Sequence, residues 1–467
     1  MPDYRRRAVR EAASVRLDVN GAVAELIGDG GIAGDELAAL GPRISEVSHA
    51  LKGRRSAGEL PALNVPGDVA ALAALKALAA DVREECDTLV VLGVGGSVRG
   101  AASLVQALSD SGPRVLVVDG LDPHRLGGLV DGLDPERTTF NIVSHSGETP
   151  DTLVQFLIVR DVLLHALGAV DYTQRVIVTT DAEHGPLRQV VHDEGFRDVV
   201  VPAGIGARFS ALTAAALFPT AVAGARVDEV LAGAAWMDAR CQAADVGRNP
   251  AHLLATLLYL ADTRHRQTVL VLLPYSDRLS AFAQWCAHLW TESLGKAPTL
   301  DGAAAHVGQT VIAGDGTSAH HTWLQLLTEG PRDKMVCMLR VEDHGRELEV
   351  PPAFADLDAI GYLGSAGVGG LLNLEQRAAE AALWERGRPT VVLTLPQINA
   401  FTMGQLSYLF EAATVFAAGL YRVDPFTQPG VDAAQRLLLG LAGRAGCERE
   451  RAQVEALLAR KRDHYIL

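Results

Sequence analysis

The sequence predicts an α/β protein made of two parallel-sheet units in tandem, with helical extensions at the N- and C-terminal ends. Three observations carry that prediction. Short β-branched apolar runs alternate with helical stretches, as strands buried on both faces of a parallel sheet require. The alternation occurs twice, separated by a helical connector at about residues 225–264. At 467 residues the chain is also too long for one compact core.

In chain order, residues 1–70 read as helical and polar and end in the Pro/Gly-containing connection LPALNVPGD. The first unit, 71–224, holds the runs TLVVLG, RVLVVDG, TTFNIVSH, RVIVTT and DVVVPA. The second unit, 265–425, holds QTVLVLLPY, QTVIAG, DKMVCMLRVE and PTVVLTL. Residues Glu342 to Gly370, rich in Pro, Gly and acid, read as a surface excursion within it. The last hundred residues hold two helices, starting near Thr402 and near Val431, with 426–467 as the C-terminal helical extension.

Composition narrows the function classes. Apolar content of 48% with 21% charged residues is that of a globular protein. A net charge of −14 argues against nucleic acid as a partner, because phosphate neutralisation needs basic patches. A small anionic substrate remains open, since one nest of N–H groups can outweigh a distant negative field. The basic start MPDYRRRAVREAASVRLDV lacks a following apolar core, and no uncharged apolar run reaches spanning length. The expectation is a cytoplasmic protein without a membrane partner. Cys86, Cys241, Cys286, Cys337 and Cys447 are scattered without metal-type spacing and read as reduced packing residues.

Five stretches could carry chemistry. GVGGSVRG, Gly93 to Gly100, follows the first run and opens a helix whose free N–H groups suit an anion or a sugar hydroxyl. It resembles a dinucleotide turn, with Asp119 as the ribose acid, but Val98 stands where the third glycine belongs. VSHSGETPDT places Ser144, Ser146 and Thr149 at a helix mouth, where they cradle an oxyanion or simply cap the helix. Glu148 suits the capping alternative, as an acid in a first turn. IGARFSALTAAALF sets Arg208 before a small and apolar helix, either solvated or facing a cleft. In LLPYSDRLSAFAQWCAHLWTESLGK, His288 and Glu292 are neighbours four apart, with Glu292 near the helix C-terminus. The dipole there would raise its pKa toward base duty, unless the two form only a solvated pair. GDGTSAHHTWLQLLTEGPRDK puts His320 and His321 in a first turn capped by Thr317 or Ser318. Adjacent histidines diverge on a helix, which argues against a shared metal.

Taken in order and spacing, VLGVGGSVRG, VSHSGETPDT, GARFSALTAAALFPTAVAG, PYSDRLSAFAQWCAHLWTESLGK, GTSAHHTWLQLLTEGPRDK and PFTQPGVDAAQ resemble the phosphoglucose isomerase family from about residue 90 to about 440. The resemblance implies two flavodoxin-like sugar-isomerase (SIS) domains and a cytoplasmic homodimer whose sites are completed by both subunits. It implies no metal or cofactor. The implied chemistry opens the ring of a hexose 6-phosphate and moves a proton between C1 and C2 through a cis-enediol. By the same resemblance, Glu292 matches the base, Arg208 the arginine that steadies the enediolate, and His321 the histidine of ring opening. Gly96, Ser97, Ser144, His145, Ser146, Thr149, His288, Gln428 and Gln435 fall on substrate-lining positions.

The chain also departs from the family pattern. Gln435 replaces a lysine that assists ring opening, with Arg436 beside it, and His288 replaces a glutamine. The loop pattern S-K-S-G-T-T becomes Ser144-His145-Ser146-Gly147-Glu148-Thr149, and Ala207 stands where a second glycine is common. An added carboxylate near a phosphate seat would repel a dianion if it faced it. The partner expected is therefore a small sugar phosphate or a related sugar acid. Three functions stay open at this point: hexose 6-phosphate isomerisation, enediol or enolate chemistry on another sugar or sugar acid, and a non-catalytic role.

Overall fold

The computed structural model describes residues 2–67, 70–364 and 366–467. Asp68, the last residue of the predicted connection LPALNVPGD, lies outside them. Twelve strands are described: β1 (Arg16–Asp18), β2 (Thr88–Gly93), β3 (Arg114–Asp119), β4 (Thr138–Val143), β5 (Val176–Thr180), β6 (Arg197–Val200), β7 (Val269–Pro274), β8 (Lys296–Pro298), β9 (Ala304–Val307), β10 (Thr310–Ala313), β11 (Lys334–Asp343) and β12 (Thr390–Gln397).

All five runs predicted for the first unit form strands, ordered β3-β2-β4-β5-β6 and parallel throughout. The order reverses between β2 and β4, so the loops after those two strands flank a crevice at the carboxyl edge, where open α/β sheets bind ligands. The two loops are GVGGS and SHSGET. Val90, Leu92, Phe140, Ile142, Val176 and Val178 line the sheet face covered by Phe156, Val159 and Leu163 of the helix Pro150–Asp171. Among the described residues, the Pro150–Arg175 segment is the one long and apolar enough to cross a membrane by length and composition, at a mean hydropathy of 1.8. Its Phe156, Val159 and Leu163 lie in the sheet core, while Leu157 is exposed.

The four runs of the second unit also form strands, in a sheet ordered β1-β12-β11-β7-β10. β7, β10, β11 and β12 pair in parallel. The edge strand β1 is antiparallel, with Leu17 opposite Leu393. This corrects the reading of residues 1–70 as helical. Three residues are too few to show an alternating pattern, and the pairing comes from the open edge of β12.

The last hundred residues hold four helices of eleven residues or more rather than two: Val368–Trp384, Ala400–Tyr421, Pro429–Leu441 and Glu448–Leu458. Residues Met1–Val423, including both sheets, form one compact unit, and Asp424–Leu467 form another. In the smaller unit Gly440 lies against Arg451, where a Cβ would come within 2.6 Å of a backbone nitrogen. The five cysteines are free, and Cys86, Cys286 and Cys337 are buried.

Candidate active site

The turn after β2 is fixed by what surrounds it. Gly95 has φ +58, a region that disfavours side chains. Its N–H donates to Asp119 Oδ1 at 2.8 Å, and Arg99 pairs with the other Asp119 oxygen at 3.0 Å. Asp119 therefore ties the turn to β3, which displaces the reading of it as a ribose acid. A Cβ on Gly96 would lie 2.8 Å from Arg208 N and 3.0 Å from Ala207 C. Only glycine lets the helix Gly96–Leu108 start directly against the short turn Ala207–Phe209. Ser97 follows, half-buried, in the first turn of that helix.

Arg208 is buried rather than solvated. Its Nη1 lies 3.1 Å from Glu292 Oε1, with side-chain exposures of 5% and 16%. Its Nε also donates to Ser293 Oγ at 3.3 Å. The other Glu292 oxygen, Oε2, lies 2.8 Å from His288 Nε2. The Lys296 ammonium donates to the Glu292 backbone carbonyl at 2.6 Å and closes the end of the helix Ser280–Leu294. His288 also reaches the glycine turn, its Cε1 standing 3.5 Å from where a Gly95 Cβ would be. Glycine turn, arginine and the His288–Glu292 helix end thus meet at one place.

The expected rise in the Glu292 pKa is corrected by these partners. Burial pushes the carboxyl up, but His288, Arg208 and Lys296 together outweigh it and hold it below the ordinary carboxylate range. Fixed positive charge at contact distance exceeds the effect of the helix dipole. Ser293 and Lys296 were missed as individual residues, although both stand in the quoted ESLGK.

The SHSGET loop is knit by its own hydroxyls. Ser144 Oγ and Thr149 Oγ1 share a hydrogen bond of 3.0 Å, and Gly147 N donates to Ser144 Oγ at 3.1 Å. Glu148 N donates to Ser146 Oγ at 3.2 Å. Thr149 occupies the N-cap position of the helix Pro150–Asp171 without a side-chain capping bond, so the capping alternative fails. Ser146 and Glu148 are exposed. Burial pushes His145 down to about 4, against a weak upward pull from the Ile205 backbone, so its ring is uncharged at neutral pH. The loop therefore offers an anion hydroxyls and helix N-terminal N–H groups, with no cationic side chain of its own.

His320 and His321 do diverge. His320 Nδ1 lies 3.1 Å from the Tyr275 hydroxyl, while His321 is exposed and meets the His320 ring, at 4.9 Å between centroids. Neither Thr317 nor Ser318 caps the helix Ser318–Glu329. Thr317 makes no capping bond, and the Ser318 hydroxyl donates to Asp315 O at 2.9 Å. Gln428 and Gln435 belong to the Asp424–Leu467 unit, Gln428 at the N-cap and Gln435 within the helix Pro429–Leu441. A cavity of about 920 Å³ lies among the helices around Arg55, Asp238 and Tyr408 and is lined by none of the candidate residues.

Residues 79–445 match the phosphoglucose isomerase family. The chain belongs to that family. It is 35% identical over 429 residues to a glucose-6-phosphate isomerase of Carboxydothermus hydrogenoformans, covering 89% of this chain and 92% of that one. A glucose-6-phosphate isomerase of Rubrobacter xylanophilus is 36% identical over 431 residues, with 90% and 96% covered. Among solved structures, a hypothetical protein from Thermus thermophilus superposes with a TM-score of 0.84 at 31% identity, covering 92% of this chain and all of that one. A glucose-6-phosphate isomerase from Chlamydia trachomatis shares the fold at a TM-score of 0.72 and 21% identity, covering 83% of this chain and 76% of that one. The two five-stranded parallel-type sheets flanked by helices are thus those of the phosphoglucose isomerase fold.

Proposed function

We propose that this chain interconverts the aldose and ketose forms of a hexose 6-phosphate through a cis-enediol. The observation that carries the reading is the Glu292 carboxylate, held ionised between Arg208 and His288 against the Gly95–Gly96 turn. An ionised carboxylate takes the proton from C2 of the open-chain aldose and returns it to C1. The Arg208 guanidinium, fixed and unable to release a proton, stabilises the charge that develops on the enediolate oxygens. Ser97, Ser144, Ser146 and Thr149, with the backbone N–H groups at their helix starts, supply the seat for hydroxyls and phosphate. The roles of Gln428 and Gln435 as lining residues rest on the family pattern alone.

We propose further that residues 71–224 and 265–425 act as two halves of one catalytic unit in a homodimer. The exposed His321 supports this arrangement, since an exposed imidazole is available to serve ring opening in a second copy.

Fructose 6-phosphate supplied to the purified protein, with glucose-6-phosphate dehydrogenase as reporter, tests the reading. Turnover is expected, falling about 10³-fold in Glu292→Gln with the fold retained. Absence of turnover at high enzyme concentration overturns it. A second reading, the same chemistry on a sugar or sugar acid lacking the 6-phosphate, draws on the uncharged His145 beside the exposed Glu148. Turnover of unphosphorylated fructose at a kcat/KM above that of its 6-phosphate would select it.

A further inference from the structure

We propose that Asp119 is a positioning residue for the base: it anchors the Gly95–Gly96 turn, and the anchored turn keeps Arg208 in place against Glu292. The inference rests on the isomerase reading above and deepens it. It gives a task to a carboxylate that the chemistry itself does not use.

Asp119 ends β3, in register with Gly93 at the end of β2. Its two oxygens have different partners. Oδ1 accepts the Gly95 N–H at 2.8 Å, and Oδ2 lies 3.0 Å from Arg99 Nε. A backbone N–H held by an ionised carboxylate is a stronger tether than one held by a neutral oxygen. Arg99 also balances the carboxylate, so the tether adds little net charge beside a crevice that takes an anion.

The anchor is itself fixed from the other side of the crevice. The fully buried Gln155, on the helix Pro150–Asp171 that follows the SHSGET loop, donates to the Gly120 carbonyl at 2.8 Å. The corner Asp119–Gly120 thus holds the loop after β2 through one residue and the helix after β4 through the next. A turn tied to such a corner cannot drift without breaking its own bond.

From the turn to the base the connection runs by contact. A Gly96 Cβ would lie 2.8 Å from Arg208 N, so the two backbones touch. Arg208 Nη1 then lies 3.1 Å from Glu292 Oε1. His288, Arg208 and Lys296 hold the Glu292 carboxyl below its ordinary range. Two of the three meet the turn: Arg208 through its backbone, and His288 with its Cε1 3.5 Å from the Gly95 Cβ position. On the packed helix Ala400–Tyr421, Glu411 is held neutral by burial. Asp277 and Arg278 lie at the opposite end of the Glu292 helix, engaged with Thr317 and Ala107. A turn released from Asp119 therefore frees Arg208 and His288 to move, and Glu292 becomes harder to ionise. Loss of the Asp119 charge alone acts in the opposite direction, because removing a nearby anion makes a carboxyl easier to ionise.

The test compares two variants of the full chain. Asp119→Ala removes the acceptor. Asp119→Asn removes the charge but keeps an oxygen for the Gly95 N–H, while the half-buried Arg99 turns to solvent. Steady-state conversion of fructose 6-phosphate is followed across pH. In Asp119→Ala, kcat is expected to fall about tenfold and the acid limb of kcat/KM to rise by about half a pH unit. In Asp119→Asn, kcat is expected to stay within about threefold of the wild type and the limb to stay or move down. A fraction of unfolded enzyme lowers kcat without moving the limb, so the limb separates positioning from a merely structural role. An unmoved limb in Asp119→Ala, or equal behaviour of the two variants, overturns the proposal and leaves the isomerase reading intact. If Asp119→Ala does not fold, Asp119→Val, better suited to a strand end, takes its place. If neither folds, the corner holds the fold rather than the site, and the proposal falls. A wild type with no turnover overturns the isomerase reading and this inference with it.

Discussion

Arg208 Nη1 stands 3.1 Å from Glu292 Oε1 across a junction between two segments 84 residues apart in the chain, both side chains mostly buried. His288 and this Arg208 pair together keep Glu292 below the ordinary carboxylate range despite its burial. A carboxyl whose folded pKa is depressed contributes stability above its unfolded pKa and loses it as pH falls through the folded value. The same relation sets the acid side of activity. Arg208→Ala is expected to move the acid limb of the kcat/KM profile to higher pH and to lower kcat by about 10²- to 10³-fold. A loss of rate with an unmoved acid limb would show that Arg208 does not control the base.

Gly96 tests the positioning of that arginine without touching its charge. In Gly96→Ala the new Cβ meets the Arg208 backbone nitrogen at 2.8 Å and the Ala207 carbonyl carbon at 3.0 Å, so the turn and the arginine segment must separate. Overpacking of this kind costs about 1–3 kcal/mol, and the displaced guanidinium loses its register with Glu292. The expected result is a folded protein with kcat reduced more than KM is raised. Unchanged kcat would show that the contact is not tight.

Glu148 bears on the charge of the substrate. It is exposed in a loop whose histidine is uncharged, so it repels an approaching phosphate through solvent. Glu148→Thr is expected to lower the KM for fructose 6-phosphate about threefold at low ionic strength, a difference that shrinks near 0.5 M salt as screening grows. Steady-state kinetics in the two salts measure it. A KM that does not change at low salt would place the phosphate seat elsewhere.

Glu411 offers a test of stability away from the chemistry. Burial raises its carboxyl well above the usual range, with the Ala211 backbone pulling weakly the other way. A raised folded pKa makes stability greatest below the unfolded value of about 4.5 and lowers it as pH rises toward the folded one, because the unfolded chain releases the proton. Glu411→Gln removes that dependence. Unfolding free energies from denaturant titration should match the wild type near pH 4.5 and exceed it at pH 8. A variant less stable at pH 8 would show that the carboxyl is ionised and paired.

Much of this could be read before folding. The nine apolar runs were visible because parallel strands buried on both faces need continuous β-branched stretches, and all nine form strands. Strand β1 was not visible, because its three residues carry no period and its partner lies more than 370 residues away. The hydroxyls of Ser144 and Thr149 were legible as residues, yet their choice of each other over the helix cap depends on how the Gly147 turn folds back.

The sequence by itself determined the class of fold, the family and the pairing of His288 with Glu292, since each lies in local periodicity or in motif order. Tertiary structure decided the protonation of the base. The dipole argument, which sees only one helix, predicted a raised pKa. The opposite direction follows from His288, four residues back on the same helix, together with Arg208, brought from a different segment by a glycine turn that has no side chain to hold it away. Charge at contact distance depends on three-dimensional proximity, and proximity across 84 residues is a property of the fold.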